Sequence, residues 1–199
     1  MKKKKLILII ILAVIALILG IFLIISSSNE LTDAKKFSSE YTQVDDDNIF
    51  VYKSIDEIIN ILENGTGIVY LGFPECPWCQ RYSVYLNEVA MDMGFDKINY
   101  YNIKNDRSEN TEEYQKIVSL IGEYLQYDDD GNKRIYVPCV IAVYKGEIVG
   151  FNDETAWDTK GYDTPEEYWT DEEVEQLKDD LTEALSKANE NICTSCNEE

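Results

Sequence analysis

The run Gly67-Ile68-Val69-Tyr70-Leu71-Gly72-Phe73-Pro74-Glu75-Cys76-Pro77-Trp78-Cys79 decides how this chain is read. Residues 67–72 are continuously apolar over the length of one strand, which implies burial on both faces. Phe73-Pro74-Glu75 ends that strand, and Pro77 stands at the position where a helix favours proline, its first residue. Tyr85, Val89 and Met93 then supply a helical stripe that runs to Gly94.

Working outward, residues 49–52 read as a short strand, and Ser54-Ile55-Asp56-Glu57 as a capping box in which hydroxyl and carboxylate satisfy opposite orphan amides. Ile55, Ile58, Ile59 and Leu62 continue that helix on one face until Asn64-Gly65 stops it. Downstream, residues 98–103 form another strand. Asn110 or Thr111 opens a helix carrying Tyr114, Ile117, Val118, Ile121 and Leu125. Residues 139–144 and 147–151 flank Lys145-Gly146 as a β-hairpin. An aromatic, acidic connector over 152–169 leads to a last helix with Val174, Leu177, Leu181 and Leu185 on its buried face. Helix-linked strands first and an antiparallel pair last predict an α/β fold, a central mixed sheet flanked by helices.

The chemistry turns on Cys76 and Cys79. At the start of a helix, this spacing lets two sulfurs close a small ring with little backbone movement. The unpaired amides and dipole of the helix N-terminus favour a thiolate on the first sulfur. Thiolate is the attacking species in disulfide exchange. In a loop, the same spacing would be half a zinc site.

These features resemble the thioredoxin superfamily: the strand at 68–72, Cys76-Pro77-Trp78-Cys79 on the next helix, Val137-Pro138 before a strand, and the Tyr144-Lys145-Gly146-Glu147 hairpin. The resemblance spans residues 49–190. More narrowly, residues 70–79 are similar to small membrane-anchored bacterial thioredoxin-like proteins often labelled bacteriocin transport accessory proteins. It implies that Cys76 is the nucleophile forming a mixed disulfide and that the more buried Cys79 resolves it. It implies that Pro138 is a cis proline facing the sulfurs, and that Val137 offers its backbone to an extended substrate. Pro77 and Trp78 would complete the substrate-binding surface, with Trp78 exposed beside the sulfurs; core packing is the competing reading for Trp78. Two residues depart from the family pattern. Tyr70 replaces a buried acid six positions before Cys76, and Glu75 replaces a tryptophan and would raise the Cys76 pKa. No histidine is present, which excludes His-based metal sites and Cys–His catalysis and leans the reading towards reductase or isomerase over oxidase.

The N-terminus differs in kind. Lys2 to Lys5 form a basic cytoplasmic end over residues 1–5, and residues 6–25 are 20 consecutive apolar residues, counting Gly20. Such a run spans roughly the 30 Å core of a bilayer as a helix. It reads as an uncleaved transmembrane anchor with the lysines inside and the remainder exported. A cleaved signal peptide followed by secretion is the alternative. Residues 26–48 read as a polar linker, 49–190 as the thioredoxin-like domain, and 191–199 as a polar tail. The exported part keeps 14 of the 18 basic residues against all 38 acidic ones, which argues against nucleic acid as a partner. Asp128-Asp129-Asp130 lacks the ligand placement of a calcium loop. No metal or organic cofactor is called for.

Three further cysteines are candidate accessory thiols. Cys139 is either a buried apolar thiol or a third thiol beside the pair. Cys193 and Cys196 form a second C-x-x-C in the tail, read as a local disulfide, as a shuttle to Cys76 and Cys79, or as half of a four-cysteine zinc site. The expected activity is thiol–disulfide exchange on cysteine-containing exported proteins or peptides, with a membrane electron carrier resetting the pair. The alternative is a non-catalytic adaptor for a secretion or bacteriocin transport partner.

Overall fold

The polar stretch before residue 49 is where fold and expectation part. The computed structural model describes residues 32–154 and 160–195, with side chains as far as Ala188 in the last helix. Helix α1 spans Asp33–Glu40, and Phe37, Tyr41 and Val44 are all buried. The compact unit therefore begins at Asp33, and residues 33–48 are part of it, not a linker. Phe37, Tyr41 and Val44 recur at helical spacing, but their polar neighbours mask the stripe. The transmembrane reading of residues 6–25 lies outside the described residues.

After α1 come β1 (Phe50–Tyr52), α2 (Ile55–Asn64), β2 (Gly67–Gly72), α3 (Pro77–Asp92), β3 (Ile98–Asn102), α4 (Lys104–Glu109) and α5 (Glu112–Ile121). A short hairpin, β4 (Gln126–Tyr127) and β5 (Lys133–Arg134), precedes β6 (Cys139–Tyr144), β7 (Glu147–Asp153), α6 (Pro165–Tyr168) and α7 (Asp171–Ser195). The local signals act as their chemistry requires. Ser54 and Glu57 complete both halves of the capping box, and the Thr111 hydroxyl accepts from the Tyr114 amide at 3.2 Å. Lys145 and Gly146 both take positive φ, 50° and 80°, and turn β6 into β7. Helix α7 runs through Ser195, so residues 191–195 continue it and are not a tail: no glycine or proline interrupts the sequence there.

Five strands form one mixed sheet in the order β1-β3-β2-β6-β7. Strands β1, β3 and β2 are parallel, and β6 and β7 are antiparallel to their neighbours. Ile68, Val69, Tyr70 and Leu71 are fully buried, as befits the central strand. Right-handed crossovers from β1 to β2 and back from β2 to β3 place α2 and α3 on opposite faces. Helices α1, α3 and α7 cover the face bearing Tyr70 and Asn152. Helices α2 and α5 cover the other, where Phe151 stacks on Tyr124.

This topology collects three segments at one edge. The C-terminal ends of β2 and β3 lie there together with the N-terminal end of the reversed strand β6. Register pairs Leu71 with both Tyr101 and Cys139, so residues 73–79, 103–107 and 137–138 meet beyond that row. In open α/β sheets such an edge is where ligands bind.

Candidate active site

Cys76 is itself the N-cap of α3. Its sulfur accepts the Cys79 backbone N–H at 3.1 Å, the role a serine oxygen plays in other helices, and Pro77 occupies the first turn. Cys76 is 7% exposed and Cys79 0%. Neither is bridged.

The surroundings drive the two sulfurs apart. The Cys76 thiol lies below the ordinary cysteine value: the Cys79 side chain hydrogen-bonds to it, the Cys79 and Trp78 amides point at it, and the Arg107 guanidinium lies near, together outweighing burial. Burial first, and then the hydrogen bond and charge of Cys76, push Cys79 well up. Two titratable groups whose surroundings push them apart in this way are suited to separate roles: Cys76 is the sulfur that loses its proton more readily and Cys79 the one that holds it.

Arg107 is a candidate site residue that the sequence reading missed. It sits on α4, beyond the end of β3, stacks over Phe73 with 5.0 Å to the ring centre, and donates to the Ile135 carbonyl at 3.4 Å. The clue was positional, since residues following parallel strands gather at one edge. Glu75, expected to oppose ionisation of Cys76, is instead paired with Lys104 at 2.7 Å. That ion pair holds Glu75 below its usual range, and the charge acting on Cys76 is Arg107's.

Tyr70 occupies the place of the missing acid. Its hydroxyl donates to the Cys79 carbonyl at 3.3 Å, and its nearness works against burial to lower the Cys79 thiol. Burial pushes its own ionisation far up, so it stays a neutral hydroxyl that can donate to Cys79 but does not act as a base. Beside it, Tyr41 donates to Tyr100 at 3.1 Å, and Tyr82 stacks on the Tyr70 ring at 6.1 Å. Gly72 makes room for this cluster: a Cβ there would stand 2.8 Å from the Tyr70 hydroxyl.

Trp78 departs from expectation. It is only 6% exposed, edge-on to Tyr168 at 5.8 Å and Trp169 at 5.6 Å, so it packs in an aromatic cluster and does not project as a docking surface. The aromatic connector supplies the covering rings, a contact distant in sequence. What the motif offers to solvent is Glu75 and Pro77.

The Val137–Pro138 peptide bond is cis, and Pro138 is buried at the edge shared with the end of β2. Cys139 lies in the row of Leu71 and Asp153. Tyr70 and Asn152, which face α3, lie in the next, so Cys139 points to the face away from Cys79. Its thiol is pushed up by burial, and Asp153 beside it is raised to about 6, again chiefly by burial. Cys193 lies on the last turns of α7, and Cys196 is outside the described residues. Among the described residues, no three Cys, Asp or Glu side chains converge to hold a metal. Comparisons with protein-family models, curated proteins and solved structures found no match.

Proposed function

We propose that this chain is a thiol–disulfide oxidoreductase of thioredoxin-like fold, anchored by residues 6–25 and working outside the cell membrane. The observation that carries the reading is the N-cap sulfur of Cys76, held at 3.1 Å by the Cys79 amide, with a fully buried thiol one turn behind it. Its substrates are disulfides of exported proteins or peptides, and it acts as reductase or isomerase. The Cys76 thiolate attacks one substrate sulfur, forms a mixed disulfide and expels the other sulfur as a thiolate. Cys79 then gives up its proton to water and attacks the Cys76 sulfur. That step releases the reduced substrate and leaves a Cys76–Cys79 disulfide. A membrane electron carrier returns two electrons to that disulfide. The chemistry needs no metal or organic cofactor.

Tyr70 governs the second step. As a donor it steadies the Cys79 thiolate but takes no proton from it. Tyr70→Phe is expected to lengthen the life of a preformed Cys76 mixed disulfide by about three- to tenfold, the worth of one hydrogen bond. Decay of that species, followed by mass spectrometry, is the check; an unchanged lifetime removes Tyr70 from the mechanism.

One observation favours a second reading. Cys76 is only 7% exposed, which suits a non-catalytic adaptor that binds a secretion partner through the Pro77–Pro138 edge. Insulin reduction by the full chain in neutral detergent separates the two. Turnover supports the enzyme, and its absence supports the adaptor.

A further inference from the structure

The chain carries 38 acidic residues against 18 basic ones, yet Arg107, Lys133 and Arg134 line one cavity of about 520 Å³. Among the described residues, none of the three forms an ion pair with a carboxylate. Arg107 and Lys133 donate to the carbonyls of Ile135 and Leu125, and Arg134 lies over the Tyr136 ring at 5.9 Å. Arg107 and Arg134 are close enough that the charge of one adds to burial in weakening protonation of the other. The carboxylate on the cavity wall, Asp128, is turned into its own loop, accepting the Asn132 amide at 2.8 Å and the Asp130 amide at 3.1 Å. Two neighbouring guanidiniums with no carboxylate paired to either among the described residues, in an otherwise acidic protein, form a site for an anion.

The cavity is joined to the dithiol at two points. Arg107 lines it and also acts on the Cys76 sulfur. Arg134 leads directly into Ile135, Tyr136, Val137 and Pro138, the segment that ends at the same sheet edge as Cys76. A polypeptide lying along that segment would carry a side chain into the cavity. We propose that this cavity is a carboxylate subsite, which selects substrate segments bearing an acidic residue beside the reacting cysteine. The assignment to substrate selection rests on the redox reading of Cys76, whereas the binding itself does not. At physiological salt the Debye length is about 8 Å, so the protein's distant negative charge is screened and the local arginines decide.

The test uses the full chain in neutral detergent and titrates it calorimetrically with a blocked tetraglutamate peptide, a blocked tetraglutamine peptide and free glutarate. Tetraglutamate is expected to bind about tenfold more tightly than tetraglutamine, and Arg134→Gln to abolish the difference. Lys133→Gln, on the same cavity lining, is expected to reduce it in part and serves as the second variant should Arg134→Gln fold poorly. Equal binding of the two peptides to the wild-type chain overturns the proposal, as does a preference that survives in both variants. Glutarate binding as tightly as tetraglutamate overturns the assignment to a polypeptide segment, because a free anion would then suffice. Insulin turnover is read on the same samples: binding without turnover counts against the redox reading alone, and turnover without binding against the subsite alone.

Discussion

Cys76→Ser is expected to lower insulin reduction by at least about a thousandfold, to the uncatalysed rate, while leaving the fold intact. The two halves of that result have separate causes. A serine oxygen caps a helix at least as well as sulfur, so it can accept the same Cys79 amide that the Cys76 sulfur accepts at 3.1 Å. Stability is therefore expected to stay within about 1 kcal/mol of the parent, read from urea unfolding. Chemistry, however, requires an ionised sulfur, and an alcohol in the same place neither ionises at neutral pH nor forms a disulfide. Cys79→Ser should behave differently. The first attack survives, and the chain accumulates as a mixed disulfide visible as added mass. Full activity in Cys76→Ser would move the nucleophile elsewhere.

The second large effect is on stability, at a residue that the sequence hides. Phe37 is fully buried, stacked on Tyr41 at 4.1 Å and Phe50 at 3.8 Å, and edge-on to Tyr100 at 5.0 Å. Phe37→Ala is expected to cost about 3–5 kcal/mol, the range for emptying an aromatic site in a core. If residues 33–48 were a tether, the cost would be below about 0.5 kcal/mol. Urea unfolding distinguishes the two. The same substitution loosens the seat of Tyr41, whose hydroxyl bonds to Tyr100 beneath the dithiol. A slower release of mixed disulfide is expected alongside the lost stability.

What the sequence made legible follows from how local each signal is. The strand at 67–72 announced itself by an unbroken apolar run, α2 by a capping box, and the β6–β7 turn by Lys145-Gly146. Each of these rests on residues within a few positions of one another. Cys76 and Cys79 were legible for the same reason, because spacing and helix position are written in four consecutive residues. Arg107, Tyr41 and the rings that cover Trp78 were not. Arg107 reaches Cys76 because β2 and β3 are parallel neighbours, a pairing that spans about thirty residues. Trp78 is buried by Tyr168 and Trp169, ninety residues further along, and its local surroundings read equally well as a surface. Glu75 stands in the sequence as a charge against Cys76, and only the fold brings it a partner, Lys104. The expected transmembrane span over residues 6–25 and Cys196 lie outside the described residues.

The most direct test of the whole account is the pH dependence of alkylation at each cysteine of the reduced full chain, resolved by mass spectrometry. Arg107, the helix amides and Cys79 together hold the Cys76 proton loosely, whereas burial holds that of Cys79 tightly. The modification rate at Cys76 should therefore rise with pH through a midpoint below that of an ordinary cysteine, about 8.5, and then level off while Cys79 stays unmodified. A Cys76 midpoint at or above the ordinary value, or faster modification of Cys79 than of Cys76, would contradict the account.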